Sequence, residues 1–339
     1  MTGRFGIAAW NRDYEAIGAE ALAPKTKQNA FAGFVYEELT LGRTRVQFGG
    51  RVERNDFNPE ARAVGEEPPA EPGATEEPEP PDATPRDFTG FSGSAGVHFD
   101  LTGNTALVAN LSHSYRAPAL EELYNFGPHI GNLAFEIGNP DLDAEKTLGL
   151  DFTVRTRTNR AKGEFNVYYY DIDNFVFPAF TDEELDGLRI ALFDQGDSRF
   201  VGYDTTGSFE LRPQTWLHVN LGYVNAKLTE TDLPSPRIPP LHGRVQVDVP
   251  IKNGITVSPE LAWAAKQDRI FINETATAGY GVFNLGASYV LAKSHVAHQV
   301  TLRAFNLTNE LYRNHTSFIK DLAPEIGRGL KVTYVLKFF

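Results

Sequence analysis

The chain has 339 residues with 44 acidic against 32 basic side chains, a formal charge of −12 and a pI of about 5.2, which disfavours a nucleic-acid backbone as partner. Cysteine is absent, which excludes a disulfide framework and a thiolate metal site. Aromatic residues are 12 % of the chain, nearly all Phe and Tyr, too many for a polypeptide disordered throughout. No apolar run reaches the ~18 residues of a membrane helix, but a membrane strand needs only about 9–11 residues and alternates its faces.

Helical periodicity is scarce and period-2 alternation is widespread. In chain order it predicts about fourteen strands, near 3–11, 27–38, 42–54, 88–100, 104–114, 144–157, 162–173, 200–211, 215–227, 243–250, 254–264, 280–291, 297–307 and 328–338. In 215–227, Leu217, Val219, Leu221 and Tyr223 share one face, against His218, Asn220, Gly222 and Val224. In the last strand Leu330, Val332, Tyr334, Leu336 and Phe338 oppose Lys331, Thr333, Val335 and Lys337. A row of cations is costly in a dry core and hydrated in a wet lumen. A soluble β-sandwich also alternates, with its polar row facing water, so the pattern alone leaves both architectures open.

The links favour the barrel. Thr102-Gly103-Asn104, Thr158-Asn159-Arg160, Arg212-Pro213-Gln214, Lys252-Asn253 and Lys293-Ser294 are tight turns. Between them, 55–87, 115–143, 174–199, 228–242, 265–279 and 308–327 are long. Short turns at one end and long loops at the other is the asymmetry of outer-membrane barrels. Within the first long link, 58–87 holds EEPPAEPGATEEPEPPDATP, Pro-rich and acidic, and is expected to be a disordered, solvated loop.

Enzyme signatures are missing: there is no G-x-S-x-G, no P-loop and no H-E-x-x-H, and no catalytic or cofactor-binding residue is predicted. Without Cys, zinc would need His and carboxylates. A lone His is by default a solvated or hydrogen-bonded side chain. His129 stands out, because it lies in a Gly/Pro-framed loop with Glu121, Glu122, Glu136 and Asp141 close in sequence. His113, at a strand end, and His315, in a loop, are secondary candidates.

One stretch carries a family pattern. Tyr115-Arg116-Ala117-Pro118, Glu122-Leu123-Tyr124, Gly138-Asn139-Pro140-Asp141-Leu142 and Glu145 resemble, in this order, a loop late in the barrel of TonB-dependent outer-membrane receptors. Phe305-Asn306-Leu307-Thr308-Asn309 with Tyr312, and Gly327-Arg328 opening a last strand that places Phe338 where the family has its terminal Phe, continue the likeness. Gly127-Pro128-His129 and Phe135-Glu136, with Trp10-Asn11-Arg12-Asp13-Tyr14 earlier, look most like the zinc-uptake branch.

The resemblance implies an all-β, transmembrane antiparallel β-barrel, with about fourteen strands present of a family barrel of about twenty-two. Residues 1–339 would be the C-terminal barrel portion, with no plug domain, no TonB-contacting segment and no signal peptide at Met1. It implies a Gram-negative outer-membrane location and TonB-dependent import of a metal ion or metal chelate, zinc favoured, with His129 and Glu136 handling the metal. Expected partners are outer-membrane lipid, the transported metal or chelate, and TonB where a plug precedes the barrel; the expected state is a monomer. The alternatives are a small passive porin-like barrel, an inactive receptor fragment and a soluble β-sandwich binding module.

Overall fold

The computed structural model describes residues 1–18, 21–61, 78–252 and 254–338. Fourteen strands form one antiparallel path: β1 (Thr2–Tyr14), β2 (Thr26–Leu41), β3 (Thr44–Pro59), β4 (Arg86–Asp100), β5 (Thr105–Arg116), β8 (Glu145–Arg157), β9 (Ala161–Leu185), β10 (Leu188–Arg212), β11 (Thr215–Leu228), β12 (His242–Pro250), β13 (Ile255–Ala264), β14 (Tyr280–Lys293), β15 (Val296–Phe305) and β16 (Gly329–Phe338). Between β5 and β8 lie a short helix, α1 (Leu120–Tyr124), and two small strands, β6 (Phe126–His129) and β7 (Ala134–Ile137). The predicted strands all form. The 174–199 link is a correction: it is strand over most of its length, and Asp186 and Gly187, at φ 53 and 73, close the β9–β10 hairpin. Asp-Gly supplies the two positive φ angles that a tight hairpin turn needs. Most of the predicted acidic loop, 62–77, lies outside the described residues.

Register fixes the faces. Leu217 pairs with Phe209 and Val247, and Tyr223 pairs with Tyr203, so the apolar sides of successive strands join into one surface. Phe5, Ile7, Phe31, Val52, Leu150, Phe209, Leu302 and Val332 on it are all exposed. That much contiguous exposed apolar surface marks contact with lipid. One continuous sheet also corrects the sandwich alternative, which needs two sheets packed face to face. The path runs open from β1 to β16, so the fourteen strands do not close on themselves into a small barrel.

The opposite face is polar and knitted by charge. Glu260, 5 % exposed, accepts hydrogen bonds from Arg303 at 2.8 Å, Asn284 at 2.7 Å and Arg244 at 3.3 Å. Near the short-turn end, a cavity of about 820 Å³ is lined by Arg155, Lys162, His218, Arg244 and Asp248. A sheet with lipid on one side and water on the other has little dry core. The main buried cluster instead sits at the long-loop end, where Leu120, Leu123, Tyr124 and Leu142 pack with Phe57, Phe88, Ala23 and Val176.

Candidate functional site

The loop between β5 and β8 is built around its sequence motif. Pro118 ends the β5 ladder, and Arg116 then bonds both Glu145 and, at 2.8 Å, Glu122. Glu122 also accepts the Ala119 N–H at 2.7 Å, which fixes the start of α1. Leu142 is fully buried beneath this helix, and Arg86 donates to its carbonyl at 2.8 Å. Burial pushes the Tyr124 phenol up to about 12, against the opposing pull of Arg86. It therefore keeps its proton and donates to Thr84 O at 2.7 Å. Gly138 has backbone on three sides: a Cβ there would lie 2.6 Å from Leu123 C and Tyr124 N. The residues that carry the family resemblance are thus a structural knot that sets where β6 and β7 go.

β6 and β7 form a small hairpin, and β7 joins β10 in parallel, Ala134 opposite Arg189 through Ile137 opposite Leu192. The β6–β7 hairpin brings His129 and Glu136 together. His129 Nδ1 is 2.7 Å from Glu136 Oε1, Asn132 Nδ2 donates to the same oxygen at 2.8 Å, and Asn125 Nδ2 donates to Oε2 at 2.8 Å. A carboxylate only accepts, so the imidazole carries a proton on Nδ1; in the neutral ring the lone pair then lies on Nε2. Glu136 is 7 % exposed at its side chain and His129 is 42 % exposed. The arrangement is an imidazole backed by a carboxylate, the way a metal-binding His is commonly oriented from behind. Glu136, with both oxygens engaged, positions the ring; His129 Nε2 is the atom free to ligate.

The other two candidates lie elsewhere. His113 sits on the apolar face of β5, stacked on Phe91 at 6.1 Å and 3.1 Å from Phe91 O through Nδ1. His315 is 2 % exposed, with Nδ1 3.0 Å from Thr277 Oγ1 and Nε2 3.3 Å from Glu274 Oε1, outside hydrogen-bond geometry. Lys320 Nζ lies 4.0 Å from the same Glu274 oxygen, so this carboxylate already faces a cation. Among the described residues no three His, Asp or Glu side chains gather as a metal site.

Glu274 is the residue that sequence reasoning missed. It accepts the Phe271 N–H at 3.2 Å and the Arg237 N–H at 3.2 Å. Burial alone would raise its carboxyl; the His315 contact, the Phe271 N–H and the charges of His315 and Lys320 outweigh that and hold it below its ordinary value. Burial pulls the Lys320 ammonium down, against Glu274 and Asp321. Lys320 bonds Thr275, Arg237 Nη1 donates to Ser317 O at 3.1 Å, and Asn273 and Arg189 tie in the β9–β10 hairpin through Phe180 O at 3.2 Å and Asn273 O at 3.3 Å. Four long loops are thereby joined into one plate, which holds a cavity of about 350 Å³ lined by Phe180, Arg189, Arg237, Phe271, Phe318 and Lys320. No local motif announces this hub, because its members come from three separate loops.

A single antiparallel sheet with an apolar outer face, a charged inner face, short turns at one end and a loop plate at the other is the wall of an outer-membrane β-barrel. The family model described as "TonB dependent receptor-like, beta-barrel" matches residues 3–309, and the chain belongs to that family. Its place is therefore the Gram-negative outer membrane, with the long loops outside and the short turns on the periplasmic side. TonB-dependent heme receptor A of Haemophilus ducreyi is 22 % identical over 351 residues, 93 % of this chain and 46 % of that protein. Among solved structures, the copper transporter OprC aligns with a TM-score of 0.76 at 22 % identity, over 93 % of this chain and 48 % of its own. The FrpB iron transporter from Neisseria meningitidis (F3-3 variant) aligns at 0.65 and 12 % identity, over 95 % and 47 %. The chain spans about half the length of these relatives.

Proposed function

We propose that the chain is the C-terminal part of the barrel wall of a TonB-dependent importer of a metal ion or metal chelate, with His129 as its own metal ligand. The observation that supports this is the His129–Glu136 pair: a carboxylate-backed imidazole with a free Nε2 at the outer mouth. The three relatives are named for heme, copper and iron, all metal cargoes. The likeness of Gly127-Pro128-His129 and Phe135-Glu136 to the zinc branch favours zinc. One imidazole holds a bare ion weakly, since zinc takes four ligands. The residues of this chain therefore suit best a metal that arrives with other ligands and offers one open position.

Import would need TonB and a plug domain, the partners implied by the family, acting on the whole receptor. Calorimetric titration of the intact receptor with zinc and with zinc nitrilotriacetate tests the site. The variant carrying His129→Ala and Glu136→Ala should bind the chelate at least ~10-fold more weakly. Unchanged affinity sinks the assignment. In planar bilayers, ungated current through the intact protein would point instead to a passive channel.

A further inference from the structure

The outward face of the sheet carries a second feature, independent of the loop site. On β10 the outward row runs from Leu211 through Phe209, Thr205 and Tyr203 to Val201, and the span 201–211 matches the ~9–11 residues that cross a bilayer. Tyr169, Tyr203 and Tyr223 lie toward its upper end: Val201 pairs with Tyr169, and Tyr203 with Tyr223, their rings 5.8 Å apart. Tyrosine at that depth marks the hydrocarbon–headgroup boundary. The next outward position on β10 is Arg199, and its partner on β11 is Lys227.

Two cations directly opposite each other in a ladder repel. A third stands with them. Arg269, from the loop after β13, lies over the Tyr223 ring at 5.3 Å and donates to Asn225 Oδ1 at 2.7 Å and Val224 O at 3.3 Å. Asn225 is the outward residue between Tyr223 and Lys227, so Arg269 reaches the same patch. Arg199 and Lys227 each have one carboxylate: Asp171, opposite Arg199 in the β9 ladder, is 3.5 Å from it, and Asp232, bonded to Lys227, is 78 % exposed. Arg269 has no ion pair among the described residues, and its neighbour Asp268 is held by Lys266 at 2.9 Å. Arg199 Nε has no hydrogen-bond partner.

We propose that Arg199, Lys227 and Arg269 form a clamp for the phosphorylated headgroup of an outer-leaflet lipid, whose chains lie along the apolar row beneath. The occupant follows from position and charge. The patch continues directly from the lipid-facing surface at headgroup depth, and it gathers three cations in a protein whose net charge is −12. A lipid phosphate relieves the Arg199–Lys227 repulsion and gives Arg269 the anion it lacks.

The test is native mass spectrometry of the detergent-solubilised receptor titrated with diphosphoryl lipid A. The variant R199Q/K227Q/R269Q should lose affinity on the order of a hundredfold, from about fivefold per cation removed. Arg54→Gln changes an outward cation already paired with Asp56 and Asp87, and should bind as wild type. Asp171→Asn with Asp232→Asn should bind several-fold more tightly, a gain that misfolding cannot imitate. Inorganic phosphate at millimolar concentration should compete weakly, because the acyl chains supply part of the affinity. Unchanged binding in both the triple-cation and the double-acid variants, equal loss in Arg54→Gln, or full displacement by inorganic phosphate would each overturn the proposal.

Discussion

Two His–Glu pairs stand at the long-loop end, and they are opposites. His129 and Glu136 lie within one short hairpin, the acid buried and the ring 42 % exposed, at 2.7 Å. His315 and Glu274 come from different loops, the ring buried and the acid partly so, 3.3 Å apart and beside the ammonium of Lys320. The same two side chains leave an exposed imidazole in one place and make a buried fastening in the other. What separates them is the neighbourhood: neutral amides hold Glu136, whereas Glu274 faces the ammonium of Lys320. Proximity of a His to a carboxylate is therefore a poor guide to metal binding unless one ring nitrogen remains free.

Variants that sharpen this contrast differ in size of effect. Glu274→Ala leaves buried Lys320 with Asp321 alone as countercharge and takes the acceptor from the Phe271 and Arg237 N–H groups, so the loop plate should lose about 3–5 kcal/mol, read by denaturant unfolding and by faster hydrogen exchange in 229–241, 265–279 and 306–328. Metal-chelate affinity at His129 should hold. Glu136→Gln removes the anionic support of the ring, and affinity should fall roughly 10–100-fold while the plate keeps its exchange protection. Gly138→Ala drives a methyl into the backbone of α1, costing about 1–3 kcal/mol and displacing the hairpin that carries Glu136; protease nicking within 117–144 would report it.

The smallest effect is the response to pH. The folded state holds the Glu274 carboxyl below its ordinary 4.5, so its contribution is fully present above that value and fades as pH falls through the lower folded value. Exchange in the plate should therefore accelerate below about pH 4.5 in the wild type and show no such step in Glu274→Gln.

Much of the wall was legible because its chemistry is periodic. Leu217, Val219, Leu221 and Tyr223 alternate with polar residues, and the strand around them forms as that pattern predicts. The β9–β10 extension was missed because 174–199 lies beyond the bilayer, where no lipid imposes alternation; Asp186-Gly187 was the overlooked signal. The pairing of His129 with Glu136 was anticipated only as an implication of resemblance. Its geometry comes from the β6–β7 hairpin register, which four-residue strands too short to show alternation do not announce. The Glu274 hub and the Arg199–Lys227–Arg269 patch had no local signature, since each is assembled from register and loop closure.

The most direct measurement is a calorimetric titration of the intact receptor with zinc nitrilotriacetate, comparing wild type, His129→Ala and His315→Ala. Loss of affinity confined to His129→Ala is the predicted result. Equal affinity in all three proteins, or loss confined to His315→Ala, would contradict the account and move the metal away from the exposed imidazole.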